Sequence, residues 1–148
     1  MSLTVLAPVD GTVIPLGDVP DPVFAGQLVG AGIAIDPVRE PGTVVAPADG
    51  RLLKLHPHAF VLLTTDGKGL LVHLGIDTVQ LDGEGFELLA EEGADVAAGT
   101  PVVRWDPAAI ETGGRSPIVP VVVMDSAPDS VEAAVFGPVR VGAEIFTF

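Results

Sequence analysis

The sequence predicts an all-β fold: an antiparallel β-sandwich, or barrel-sandwich, with a duplicated β-motif and a few short helical turns. Three observations predict it. Short β-rich runs alternate with Asp-Gly turns at Asp10-Gly11, Asp49-Gly50, Asp66-Gly67 and Asp82-Gly83. Helix signals are few and short. Finally, Ala7-Pro8-Val9-Asp10-Gly11-Thr12-Val13 returns as Ala46-Pro47-Ala48-Asp49-Gly50-Arg51-Leu52. Two copies are too few for a solenoid, so the echo implies a duplicated unit folded into one sandwich.

The elements follow in chain order. Strands are expected at Gly11–Ile14, Gly50–Leu55, Phe60–Thr65, Leu70–Leu74, Pro117–Met124 and Pro138–Phe148, each rich in β-branched or large apolar residues and bounded by turn residues. Glu87–Glu92, closed by Gly93, reads as one or two helical turns. Asp106–Gly113 reads as a helix with an aspartate cap, a proline in its first turn and a glycine stop. Asp129–Phe136, closed by Gly137, is a third helical candidate. A second echo pairs Gly93-Ala94-Asp95-Val96-Ala97-Ala98-Gly99 with Gly137-Pro138-Val139-Arg140-Val141-Gly142, turns that lead into strands.

The chain of 148 residues fits a single domain over residues 1–148, with no linker. Hydrophobic residues make up 48% but aromatics only 5%, so Val, Leu, Ile and Ala build the core. The 18 glycines and 14 prolines are spread along the chain and read as turns, not disorder. There is no cysteine, which excludes a disulfide framework and thiolate metal sites. Met1-Ser2-Leu3-Thr4 carries no leader pattern, and no apolar run has the length of a membrane helix. A cytoplasmic location without direct membrane insertion is expected. The net charge of −13 argues against nucleic acid and suits either solubility or a basic protein partner.

The three histidines, His56, His58 and His73, fall in one short stretch around Asp66-Gly67. If Asp66 and Gly67 are the loop of a two-residue hairpin, Thr65 faces Lys68, Leu62 faces Leu71, Phe60 faces His73 and His58 faces Gly75. His58, Phe60 and His73 then share a face, with His58 diagonal to His73 at roughly 7–8 Å between backbones. A three-residue loop would put the two histidines on opposite faces. A neutral imidazole is a nucleophile near neutral pH, and phosphoryl transfer asks mainly for positioning and charge stabilisation. One ring can carry the phosphoryl group while the other donates a hydrogen bond to its oxygens. On spacing alone the pair reads equally as two packed sandwich histidines. His56 reads as an ordinary loop histidine, and Asp77 as a third polar group or a turn residue.

The segments Leu71-Val72-His73-Leu74-Gly75-Ile76-Asp77-Thr78-Val79 and Leu81-Asp82-Gly83-Glu84-Gly85-Phe86 resemble the active-site region of the glucose-type IIA component of the bacterial phosphoenolpyruvate-dependent sugar phosphotransferase system. Asp18 to Ala25, Val29 to Ile35, Val45 to Gly50 and His58-Ala59-Phe60 resemble its other signatures, and the likeness runs from about Leu6 to the C-terminus. The resemblance implies an antiparallel sandwich whose His73 receives a phosphoryl group, through Nε2, from the carrier HPr. It implies that the group passes to a cysteine on the IIB domain of a sugar permease. His58 matches the supporting histidine and the Gly75 carbonyl matches the group that holds the His73 ring. Asp21, Pro22, Val23, Phe24, Leu71, Asp77 and Val79 match the docking rim, and Phe60 joins it through the hairpin register. Regulated enzymes or transporters are further partners the resemblance implies. The sequence departs from the pattern in three ways. His56 stands where a threonine commonly tethers the supporting histidine, Leu71 stands at a rim position often held by phenylalanine, and an amphipathic N-terminal tether is not expected.

Parts of the pattern also fit two other classes. His56-Pro57-His58 and His73 to Asp77 carry the His-x-His and His-x-x-x-Asp spacings of zinc sites, so His58, His73 and Asp77 are candidate ligands. No required cofactor is expected, and zinc at His58 and His73 only at a partner interface. Lys68, beside a hairpin tip, suggests a lipoyl or biotinyl carrier, but no Met-Lys-Met accompanies it.

Overall fold

A computed structural model provides the fold and describes residues 3–148. The expectation that Met1-Ser2-Leu3-Thr4 opens no leader falls in part on Met1 and Ser2, which lie outside the described residues. The β-rich runs become antiparallel strands. The largest sheet holds eight, in the order Gly137–Val139, Gly11–Pro15, Gly30–Pro37, Val119–Met124, Gly69–His73, Ala59–Thr64, Gly50–His56 and Asp95–Val96. One three-stranded sheet orders Thr4–Leu6, Glu144–Thr147 and Glu132–Ala133; another orders Gly42–Val45, Pro101–Trp105 and Glu87–Leu88. This is the antiparallel sandwich the sequence predicts.

The duplication is visible in its hydrogen bonds. Leu6 N donates to Pro47 O, and Val45 N to Pro8 O, so the two Ala-Pro turns pair with each other. Asp10 Oδ1 accepts from Val141 N at 2.7 Å, and Asp49 Oδ1 from Ala98 N at 2.8 Å. Gly142 N donates to Ala7 O as Gly99 N does to Ala46 O. Each Asp-Gly turn is thus tied to its partner turn from the second echo.

Between the sheets lies a core that includes Ile35, Phe60, Leu62, Leu70, Val72, Trp105, Val121 and Phe146. The central strand Val119–Met124 is apolar on both faces, because its outer face is covered too. There a second cluster forms from Leu16, Val19, Phe24, Ala34, Ile76 and Val122. Its cover is the connection from Pro15 to Gly30, which includes the short helix Pro22–Ala25. Asp21 caps that helix, its Oδ1 accepting from Val23 N at 2.8 Å, and Pro22 enters at the first turn. Neither this helix nor the strand Gly30–Pro37 is among the elements read from the sequence.

Several expectations need correction. Asp106–Gly113 is the expected helix, Pro107–Thr112 between its aspartate cap and Gly113. Glu87–Glu92 is not helical: Glu87 and Leu88 pair with Arg104 and Val103, and Glu92 Oε1 accepts from Leu55 N at 3.0 Å. A stretch this short cannot sustain a helix alone, and available strand partners decide its state. Asp129–Phe136 likewise yields a strand, with Glu132 and Ala133 against Thr147 and Phe146. Asp129 has φ +60 and is bonded in both directions to the Gln27 side chain, which blocks a helical start. The run Pro138–Phe148 divides between two sheets at the Gly142 turn.

The hairpin register is the most consequential correction. The loop has three residues, not two: Thr64 N donates to Lys68 O, and Leu63 pairs with Gly69. Thr64 shapes it, its Oγ1 bonding Asp66 Oδ1 and accepting from Lys68 N, while Gly67 takes φ +83. A left-handed glycine closing a three-residue loop is a favoured hairpin geometry. Ala59 therefore faces His73, Phe60 faces Val72 and Leu62 faces Leu70. Phe60 points into the main core at 0% exposure and is no part of an outer face.

Candidate functional site

His73 ends the strand Gly69–His73, half-buried on the outer face beside the second apolar cluster. The Phe24 ring covers it at 5.3 Å between centroids. Phe24 is itself 7% exposed, so it lies beneath the surface and not on a rim. Nδ1 of His73 stands 2.5 Å from the Gly75 carbonyl oxygen. A carbonyl only accepts, so Nδ1 carries the proton and Nε2 the free lone pair.

The turn after His73 is built to hold that carbonyl. Gly75 is buried at φ +85, and a Cβ there would lie 2.6 Å from Thr78 Cγ2 and 2.9 Å from Ser116 O. Only glycine satisfies both the backbone angle and the space. Ile76 N donates to Ser116 O, and the fully buried Thr78 Oγ1 donates to Leu74 O at 2.7 Å. Asp77, exposed at φ +60, leads into the short turn Thr78–Leu81.

His58 reaches His73 by a route the hairpin count did not contain. His56 pairs with Ala59, so Pro57 and His58 form the tight turn between Gly50–His56 and Ala59–Thr64. A turn residue is released from strand alternation, and the opposite-face objection to a three-residue loop does not reach it. Leu74 N donates to His58 O at 2.7 Å, tying this turn to the one after His73. The His58 and His73 ring centroids are 5.3 Å apart, near-perpendicular. The His56 ring also stacks on His58, at 5.8 Å and 24° between planes.

Electrostatics keep this pair neutral. Burial pushes His73 below its ordinary value of 6.5, opposed by the Gly75 hydrogen bond and by the Asp21 and Asp77 carboxylates. Burial also lowers His58, with His73 and His56 adding in the same direction. Desolvation disfavours the charged imidazolium, so both rings are free bases near neutral pH.

Of the expected rim, Val23 and Val79 are exposed at 45% and 57%, and Pro22 and Asp77 are exposed as well. Asp21 and Leu71 are half-buried. Among the described residues, no three His, Cys, Asp or Glu side chains are grouped to hold a metal ion. Lys68 is engaged, its Nζ 5.3 Å from the Phe148 ring centre. Sequence reasoning missed Thr78 and Ser116, which fix the Gly75 turn. Ser116 carries no local signal because its carbonyl meets Ile76 N only in the tertiary fold, and a threonine four residues after Leu74 is not by itself distinctive.

The family model for the phosphoenolpyruvate-dependent sugar phosphotransferase system, EIIA 1, matches residues 3–128. The chain belongs to this EIIA family. It is 41% identical over 127 residues to the PTS system glucose-specific EIIA component of Staphylococcus epidermidis, covering 84% of this chain and 75% of that one. It is 38% identical over 143 residues to the glucoside-specific EIICBA component of Staphylococcus carnosus, covering 95% of this chain and 20% of the longer one. The solved glucose permease IIA of Mycoplasma capricolum superposes with a TM-score of 0.90 at 35% identity, covering 99% and 96% of the two chains. In this EIIA chain the histidine pair therefore sits in a sugar phosphotransferase fold. No helix among the described residues is long and apolar enough to cross a membrane.

Proposed function

We propose that this EIIA chain accepts a phosphoryl group on Nε2 of His73 from phospho-HPr and passes it to a cysteine on the IIB domain of a sugar permease, in the cytoplasm. The observation that carries the reading is the 2.5 Å contact from His73 Nδ1 to the Gly75 carbonyl, which leaves Nε2 unprotonated beside His58. The Nε2 lone pair forms the new N–P bond as the donor's N–P bond breaks and its electron pair returns to the donor imidazole. The Nδ1 proton stays in place. The positive charge on the phosphorylated ring is met by the Gly75 carbonyl and the field of Asp21 and Asp77. His58 donates a hydrogen bond to the phosphoryl oxygens, and the apolar surround slows hydrolysis. Onward transfer is the reverse: the thiolate attacks phosphorus and the electron pair returns to Nε2.

Docking uses the exposed Pro22, Val23 and Val79, with Asp21 and Asp77 facing a basic donor. The Staphylococcus carnosus relative carries the matching stretch inside a chain named EIICBA, which supports a IIB acceptor. The two steps as written require no metal. The test is incubation with phosphoenolpyruvate, enzyme I and HPr, followed by assay for acid-labile phosphate. Wild type becomes labelled and His73→Gln does not. His58→Gln is labelled but transfers onward slower, by on the order of 100-fold. Labelling that persists in His73→Gln refutes the assignment.

A further inference from the structure

We propose that His56 is a positioning residue: its imidazole stacks on that of His58 and holds the His58 ring against His73. The proposal rests on the phosphocarrier reading and assigns a part to the third histidine, which that reading leaves idle.

The backbone of the His56-Pro57-His58 turn is anchored at three points. His56 pairs with Ala59 across the hairpin, and His58 O accepts from Leu74 N at 2.7 Å. The Pro57 ring lies against Gly83, where a Cβ would come 3.3 Å from Pro57 Cγ. These contacts fix where the His58 side chain begins, but not where its ring points. Two torsions remain, and a half-buried ring at a turn has little packing to choose among their rotamers. The His58 ring makes two ring contacts, one with His73 and one with His56. The His73 contact is edge-on, which suits a ring aiming a nitrogen toward a group on its neighbour. The His56 contact is near-parallel, within the separation range of stacked aromatic pairs. His56 is exposed and has no ring contact with His73, so it supports the His58 ring from outside the acceptor contact.

A stack of this kind shifts the population of one rotamer over the others by about threefold to tenfold. The effect falls on phosphoryl transfer, where His58 acts, and not on docking. The assay is steady-state transfer from the phosphorylated chain to a IIB domain, with His73 labelling from phospho-HPr measured in parallel. His56→Ala lowers kcat for onward transfer about threefold to tenfold and leaves KM for the IIB domain unchanged. His56→Phe, which keeps a ring but no ionisable nitrogen, restores the rate. In a His58→Gln background His56→Ala has no further effect, because the ring it holds is gone.

The proposal is overturned if His56→Ala transfers at the wild-type rate, if His56→Phe fails to rescue, or if the His56 effect persists in the His58→Gln background. The phosphocarrier reading fails on a different result, labelling that survives loss of His73.

Discussion

Gly75→Ala tests the clamp on His73 at its most exposed assumption, that one backbone carbonyl sets which ring nitrogen is nucleophilic. The methyl would stand 2.6 Å from Thr78 Cγ2 and 2.9 Å from Ser116 O. A side chain at φ +85 costs about 1–2 kcal/mol. Overpacking against a buried threonine and a backbone oxygen adds about 1–3 kcal/mol. Folding stability therefore falls by about 2–5 kcal/mol. The turn relieves the clash by moving, and movement carries the Gly75 carbonyl away from Nδ1. The lost hydrogen bond is worth about 1 kcal/mol, so the preference for the Nδ1–H tautomer drops by roughly fivefold to tenfold. Labelling of His73 slows in proportion to the lost Nε2 lone pair.

Gly85→Ala separates the two effects, since Gly85 has φ +86 but nothing within 4 Å of the added carbon. It carries the backbone strain without disturbing the site. The assays are denaturant unfolding, tautomer assignment from nitrogen shifts of the His73 ring, and the initial rate of labelling by phospho-HPr. A folded Gly75→Ala chain with the wild-type tautomer and rate would refute the clamp. So would a Gly85→Ala chain that labels as slowly as Gly75→Ala.

Three further outcomes are expected. Thr78→Val keeps the shape but removes the buried 2.7 Å bond to Leu74 O, costing about 1–3 kcal/mol in urea unfolding and slowing His73 labelling. Phe24→Ala opens a cavity over the second cluster, costing about 3 kcal/mol; it also lets water reach His73 and so raises the His73 pKa in a proton NMR titration. Stability falls as pH drops below about 6.5. His58 and His73 are held below that value in the folded chain, so the unfolded chain takes up their protons first. Their contribution is fully present above the unfolded value and is lost toward the depressed folded values. Urea midpoints followed across this window fall less steeply in the His58→Gln/His73→Gln double variant, and an unchanged slope would count against burial as the cause.

Turn chemistry was the most legible part of the sequence, and turn length the least. The Asp-Gly steps mark real turns at Asp10, Asp49 and Asp66, and the first two also disclose the duplication. Asp66-Gly67 suits a two-residue and a three-residue loop alike; the choice falls to the Thr64 hydroxyl, which bonds Asp66 and Lys68. Helical candidates failed at Glu87 and Asp129 for the same reason. Both are short, and strand partners from distant parts of the chain claim them. Within the site, His73 and His58 stood out by their imidazoles, while spacing alone left their function open; the family resemblance supplied their roles and that of the Gly75 carbonyl. Ser116 and the His58 carbonyl act through backbone bonds between separate segments and leave no mark on the sequence, and the Thr78 hydroxyl bonds a carbonyl four residues back that only the folded turn presents to it.

The duplication also explains why both histidines of the site belong to one copy and the site is not a symmetric pair. Gly11 and Gly50 open equivalent strands, and their partners are Pro37 and Thr64. Followed along the ladders, Gly32 pairs with Val122 as Ala59 pairs with His73. Val122 and His73 thus occupy equivalent places on the two central, mutually paired strands. What distinguishes them is the connection each copy makes after its first strand. In one copy it is the long excursion from Pro15 to Gly30, which brings Leu16, Val19 and Phe24 over the outer face and seals Val122 completely. In the other it is the tight Pro57-His58 turn, which leaves the corresponding face open and offers an imidazole at its edge. His73 therefore receives its greasy cover from one copy and its imidazole neighbour from the other. A nearly symmetric scaffold gives an asymmetric site because only one of its two equivalent hairpins was lengthened.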